Sequence, residues 1–219
     1  MVRVYGLAYY CDAYIKKSIE SITSDLDEKV ELIVVENKSK NSDTIRKDLQ
    51  SLGDSGLIKK AYLMEGNSRG NALIDIVKLD PPTDSESFFM ITDLDLKLPK
   101  GNIIADSRKY LNSGYGVTGL GLDLSNYVPP NTGHTDSLGF GWWMMGIDKN
   151  RFNLLPKDIA YTDSYLISNL LPAIKLSYRC YHYSWDVWKD YPEYWQIKQA
   201  GVDWSTYTNN TIEDVLEWM

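Results

Sequence analysis

The chain reads as an α/β domain with a mainly parallel central sheet and helices on both of its faces. Three observations predict this. Strand-like and helix-like apolar patterns alternate through the first 98 residues. The run VELIVVEN, Val30–Asn37, is continuously β-branched and apolar, as expected of a strand buried on both faces. The helical stretches between strands are long enough to serve as right-handed crossovers.

Taken in order, VRVYGLAYY (Val2–Tyr10) predicts the first strand, with Asp12 placed to cap a helix behind it. Ile15, Ile19 and Ile22 recur at helical spacing on one face. The second strand is Val30–Asn37, and Ile45, Leu49 and Leu52 mark the next helix, closed by a turn at GDSG from Gly53. LIKKAYLM (Leu57–Met64) is the third strand, and Ala72, Leu73, Ile76 and Val77 form the face of a third helix. The double proline at 81 and 82 requires a loop. FFMIT (Phe88–Thr92) is the fourth strand.

The second half is less regular. Ile103, Ile104 and Leu111 predict a helix, and the stretch YGVTGLGLDLS from Tyr115 predicts a strand. Residues 127–137 form a polar loop long enough for a lid. FGWWMMGI (Phe140–Ile147) reads as a strand, TDSYLISNLL (Thr162–Leu171) as a short helix, and LSYRCYHYSW (Leu176–Trp185) as a strand running into a loop. TIEDVLEW, at the end, predicts a short helix.

Composition excludes several classes. The 219 residues suit one domain, and 43% apolar content supports a core. A net charge of −7 and a pI near 4.9 argue against a nucleic-acid partner. The two cysteines, Cys11 and Cys180, make no disulfide framework, although one bridge is open to them. No apolar run approaches a transmembrane span, and no secretory signal pattern opens the chain, so a cytoplasmic location is expected. Of the 16 Tyr and seven Trp, five Tyr and three Trp crowd Tyr178–Trp195; aromatic residues with polar handles suit core coverage and sugar-facing grooves alike.

Ligands of open α/β sheets bind beyond the carboxyl ends of the strands. That rule selects Tyr9 and Tyr10, Glu36 and Asn37, the segment around Arg69, and Asp93. Asp93 and Asp95 flank Leu94 and point the same way in extended chain. Two such carboxylates repel unless a proton or cation is shared, and hard oxygen ligands suit Mg²⁺ or Mn²⁺. Two solvated acids in a turn would have the same spelling. His182 has the chemistry to complete a metal shell, or to be a hydrogen-bonded structural histidine.

With those segments in view, the chain resembles the nucleotide-sugar-dependent glycosyltransferases of the GT-A fold, in particular the family 2-like group. LAYYCDAYIKKSIESI, VELIVVENKSKNSDT, NSRGNALIDI, ITDLDLKLP, FGWWMMGIDKNRF, YTDSYLISNL and YRCYHYSW fall in that family's order, over about residues 3–185. The resemblance implies a Rossmann-like three-layer sandwich and a single catalytic domain over 1–219 that can belong to a longer protein. Residues 1–98 would bind the nucleotide sugar and 99–219 the acceptor. Ala8, Tyr10, Glu36, Arg69, Asn71, Asp93 and Leu94 would line the donor, a UDP-sugar being favoured. Asp93, Asp95 and His182 would hold Mn²⁺ or Mg²⁺, and Asp163 would be the general base of an inverting enzyme. Trp142 and Trp143 would face the acceptor, a glycan hydroxyl, and neighbours on a strand turn one of them inward. The chain departs from the family where Cys11 replaces an Asn, where Thr162 replaces a Glu, and by one extra residue between Ser39 and Asp43.

Two other classes stay open on sequence. A nucleotidyltransferase acting on a sugar phosphate would share the sheet and the metal but lacks its glycine-rich first loop here. A non-catalytic glycan-binding module would use the aromatic tail and leave Glu36, Asp93 and Asp95 without a role.

Overall fold

A computed structural model describes residues 1–39, 41–65, 69–83, 85–123, 143–156, 163–183 and 211–218. Among the described residues nine strands form one sheet in the order β5-β8-β6-β7-β4-β1-β2-β3-β9. The strands are β1 Val2–Ala8, β2 Val30–Glu36, β3 Lys60–Met64, β4 Phe88–Asp93, β5 Leu96–Lys97, β6 Val117–Leu122, β7 Met145–Asp148, β8 Ala173–His182 and β9 Ile212–Glu217. The helices are α1 Ile15–Asp25, α2 Ser42–Asp54, α3 Arg69–Leu79, α4 Ile103–Asn112, α5 Lys149–Asn153 and α6 Asp163–Asn169.

The predicted alternation forms as expected. β3, β2, β1 and β4 are parallel neighbours. Their order places the switch in chain direction between β1 and β4, where open sheets leave a crevice. All six residues of β4 are buried, which matches its unbroken apolar spelling. The predicted helix faces, Ile15, Ile19, Ile22, Ile45 and Leu49, are fully buried. α1 and α2 touch each other, and α3, whose connection runs back toward β4, contacts β1 and β2. Right-handed crossovers require this division of the helices between the two faces.

The far half of the sheet is mixed. β7 runs antiparallel to both β4 and β6, β6 is parallel to β8, and β5 pairs antiparallel with β8. Two buried serines of α1 tie β5 down: Ser18 Oγ accepts from the Leu96 amide (3.2 Å) and Ser21 Oγ from that of Leu98 (2.8 Å).

Four expectations are corrected. The terminal TIEDVLEW is strand β9, antiparallel to β3, not a helix. Eight residues make a marginal helix alone, whereas the open edge of β3 offers a full ladder. Trp218, just beyond β9, packs on α2, its indole N–H donating to Asp54 (3.1 Å). Asp12 does not cap α1; its carboxylate accepts from Asn41 Nδ2 (2.7 Å), joining the loops after β1 and β2. Gly53 and Asp54 belong to α2, and the turn follows at Gly56, where φ is 76°. The strand expected from Phe140 begins at Met145, because Met144 takes a positive φ of 53° that no strand tolerates. Cys11 and Cys180 are buried thiols with no disulfide between them, and burial pushes the Cys180 thiol well above its ordinary range.

Candidate active site

The strand register gathers the acids. Ala8 pairs with Glu36 across β1 and β2, and Leu7 pairs with Asp93 across β1 and β4. Glu36 and Asp93 therefore end two strands that flank the tip of β1, roughly 10 Å apart at two strand spacings. Asp93 is 5% exposed and Asp95 3%. Leu94, between them, is built into the fold. Its amide donates to the Leu7 carbonyl (2.9 Å), and its side chain fills the space over Gly6, where a Cβ would stand 2.6 Å from Leu94 Cδ2.

His182 ends β8 opposite Leu96, one residue beyond Asp95. The Tyr183 amide donates to the Asp95 carbonyl (2.8 Å), which fixes the two segments. As a result His182 Nε2 stands 3.5 Å from Asp95 Oδ2, with both side chains buried. Eighty-seven sequence positions separate these residues, and pairing between β5 and β8 closes that distance.

The pair suits a divalent cation. With bonds of about 2.0–2.2 Å, ligand atoms on adjacent corners of a coordination shell stand about 3–3.5 Å apart. Carboxylate oxygen with imidazole nitrogen matches Mn²⁺, and Mg²⁺ accepts the oxygen. Among the described residues no group of three or more His, Cys, Asp or Glu is arranged to hold a metal. The expected trio therefore reduces to the Asp95–His182 pair, with Asp93 beside it at the end of β4. Two protein ligands with substrate phosphates and water completing the shell is a common arrangement for such ions.

Glu36 is occupied by the protein itself. Its Oε1 accepts from Ser42 Oγ (2.5 Å), and its Oε2 accepts from Arg46 Nη2 (3.0 Å) and Nε (3.1 Å). Arg46 also donates to Glu213 of β9 (2.8 Å). Burial raises the Glu36 pKa, and the Ser42 hydroxyl and Arg46 charge only partly offset that. A ligand N–H would share this carboxylate with α2. Sequence reading missed Ser42 and Arg46. The available signal was their i, i+4 spacing, which puts both on one face of the helix directly after the acid.

Asn37, the next residue and a predicted strand end, is fully buried, and among the described residues neither atom of its amide has a hydrogen-bond partner. Buried amides without partners are rare in folded proteins and mark places where something else is accommodated.

Around these residues the backbone is strained. Tyr10, after β1, has φ of 50°, with its ring edge-on to Tyr9 and its carbonyl accepting from the Tyr14 hydroxyl (3.0 Å). Met144 has φ of 53°, and its amide donates to the Thr92 hydroxyl beside Asp93 (3.3 Å). Bulky residues hold such angles only where their surroundings enforce them.

The other expected residues fall differently. Arg69 and Asn71 stand in the first turn of α3, and Asp163 opens α6; the described portion does not include their side chains. Trp143 is 6% exposed and packs in the hydrophobic core. Trp142, the loop at 127–137 and the aromatic stretch beyond Tyr183 lie outside the described residues.

No family model matches the chain. An uncharacterised protein of Acanthamoeba polyphaga mimivirus, L137, is 28% identical over 209 residues, covering 80% of this chain. The chain spans only 28% of that relative's length. Among solved structures, the mannosyltransferase PcManGT of Pyrobaculum calidifontis, in complex with GDP-Man and Mn²⁺, superposes with a TM-score of 0.61 at 17% identity. That match covers 91% of this chain and 60% of the other. S. aureus TarS in complex with UDP gives 0.57 at 15% identity, covering 83% and 60%. Glucosyl-3-phosphoglycerate synthase of Mycobacterium tuberculosis, in complex with phosphoglyceric acid, gives 0.52 at 16% identity, covering 80% and 70%. The chain has the GT-A glycosyltransferase fold.

Proposed function

We propose that the chain transfers a glycosyl group from a nucleotide diphosphate sugar, UDP being favoured, to an acceptor hydroxyl of a glycan. The observation that carries this reading is the buried Asp95–His182 pair beside Asp93, next to the switch point of a GT-A sheet. The fold likeness supports it, since neighbours of this fold hold GDP-Man with Mn²⁺, or UDP.

On this reading Asp95 and His182 hold Mn²⁺ or Mg²⁺, and Asp93 faces the ribose and the ion. The ion supplies positive charge that offsets the departing diphosphate. Arg69, Asn71 and Tyr10 border the nucleotide, with Ala8 as the floor of the crevice. Asn37 supplies an amide for the base, and Glu36, held by Arg46 and Ser42, buttresses it. Asp163 takes the acceptor proton in an inverting transfer, for which it must approach within about 2.6–3.2 Å of the hydroxyl or act through one water.

The test is calorimetry of the chain with UDP and GDP, with and without Mn²⁺, followed by a screen of nucleotide sugars for slow hydrolysis. UDP binding that requires Mn²⁺ and disappears in Asp95→Ala and His182→Ala is the expected result. Failure to bind any nucleotide, together with no turnover of any donor, would sink the reading.

A further inference from the structure

β9 carries a bulge at one defined place. Asp214 pairs with Leu63 and Ile212 with Met64, so Glu213 is the extra residue of the ladder. A bulge bends its strand and re-aims the side chain at that point. Here the effect can be counted along the strand. Trp218, five residues on, packs against α2 at Gly53. In an unbroken strand, residues an odd number apart lie on opposite faces of the sheet, and Glu213 would point away from α2. The extra residue reverses this. The Glu213 carboxylate accepts from Arg46 Nη2 of α2 (2.8 Å).

Arg46 needs this second carboxylate to be held in one place. Its Nε and Nη2 both donate to a single Glu36 oxygen, Oε2 (3.1 and 3.0 Å), while Ser42 takes Oε1. Two donors on one oxygen do not make the two-oxygen fork that fixes a guanidinium plane. A long, flexible arginine is poorly restrained by one acceptor atom. Glu213 supplies the second point, and its bond to Nη2 is the shorter of that atom's two. The contacts run from the sheet edge inward: Glu213 and Arg46 are partly exposed, and Glu36 is fully buried. Lys38 is a looser, exposed partner of Glu213 at 3.8 Å. Covering the β3 edge requires neither the bulge nor this carboxylate, since Leu216 and Trp218 already pack β9 on the core. Bulges recur beside active sites, where they turn a chosen side chain inward.

We infer that Glu213 is a positioning residue for the nucleotide site. It clamps Arg46 against Glu36, and the clamped Glu36 fixes the end of β2, where Asn37 carries its buried amide. β9 then belongs to the donor site as well as covering the sheet edge. The link to the nucleotide rests on the glycosyltransferase reading; the clamp itself does not.

The test compares wild type, Glu213→Ala and Glu213→Gln by calorimetry with UDP and Mn²⁺. Alanine removes the acceptor, whereas glutamine keeps a carbonyl that accepts from Arg46. Glu213→Ala should weaken UDP about fivefold, the equivalent of one hydrogen bond, and Glu213→Gln should stay within about twofold of wild type. Binding of Mn²⁺ alone and the midpoint of urea unfolding should not change, and a fall in either would reduce Glu213 to a structural role. In an Arg46→Ala background Glu213→Ala should weaken UDP no further. A further loss there, an equal loss with alanine and glutamine, or wild-type affinity in Glu213→Ala would each overturn the positioning role. The clamp has its own readout in the Arg46 Nε–H proton resonance. It should be sharp and slow to exchange in wild type and Glu213→Gln, and broadened in Glu213→Ala; no change in Glu213→Ala would overturn the clamp. If no nucleotide binds while this resonance responds as stated, the donor reading fails and the clamp stands.

Discussion

Trp218 occupies the space that a side chain on Gly53 would need: a Cβ built there falls far inside contact with the indole ring. This contact, near the end of α2, holds the last strand against the sheet. Gly53→Ala should therefore destabilise the protein by about 1–3 kcal/mol, the range for overpacking, although alanine is the better helix residue. In a Trp218→Ala background the sign should reverse, with Gly53→Ala stabilising by up to about 1 kcal/mol. Urea denaturation of the four proteins in this cycle measures both effects. A loss of equal size in both backgrounds would mean that the indole is not the obstacle.

Arg46 holds a carboxylate whose burial raises its pKa. A group with a raised folded pKa binds its proton more tightly when folded. Its contribution is present below the unfolded value, about 4.3, and is lost as pH rises through the folded value. Arg46→Ala removes the opposing positive charge and lifts Glu36 further. The variant should lose about 2–3 kcal/mol at pH 7, less than for a fully buried pair because Arg46 is partly exposed. The gap from wild type should widen as pH rises from 4 and then level off. Adding Glu36→Gln should remove that pH dependence. Denaturation curves between pH 4 and 8 that run parallel for wild type and Arg46→Ala would refute the coupling.

Asp80 anchors the opposite end of the sheet. It accepts from Arg3 (2.7 Å), Lys60 (3.2 Å) and the Tyr62 hydroxyl (2.8 Å). Burial acts to raise its pKa, but Tyr62, Arg3 and Lys60 outweigh it, and the carboxyl lies below its ordinary range. A depressed folded pKa gives stability that is full above the unfolded value of about 3.9 and lost as pH falls through the folded one. Asp80→Asn should cost about 2–3 kcal/mol at pH 7, discounted for partial exposure. It should also flatten the dependence of stability on pH below about 4. Acid titration followed by circular dichroism checks both, and an unchanged acid slope would count against this assignment.

Ser18 and Ser21 hold Asp95 in place without touching any ligand of their own. They satisfy the Leu96 and Leu98 amides from α1. Ser21→Ala should strand a buried N–H, at about 1–3 kcal/mol. The double variant with Ser18→Ala should weaken Mn²⁺ binding, read by electron paramagnetic resonance, about tenfold. Mn²⁺ affinity unchanged in a measurably destabilised protein would show that β5 keeps its place without these bonds.

Periodicity made the first half of the fold legible. Ile15, Ile19 and Ile22 and the apolar run to Ile91 are local patterns, and each is buried where the pattern requires. Glu36 and Asp93 were legible for the same reason, since a strand's last residue can be counted off its sequence. The meeting of Asp95 with His182 was expected from the family resemblance alone, and its physical cause is the pairing of β5 with β8. Two relationships were not legible. Glu36 is engaged because α2 returns Ser42 and Arg46 over it. TIEDVLEW becomes a strand because β3 presents an open edge and Gly53 leaves room for Trp218. By itself, then, the sequence determined the alternation of elements, their buried faces and the acids at the strand ends, which depend on neighbours within a few residues. The tertiary structure alone decided which distant side chains share a site, because non-local pairing and close packing have no local signature to read.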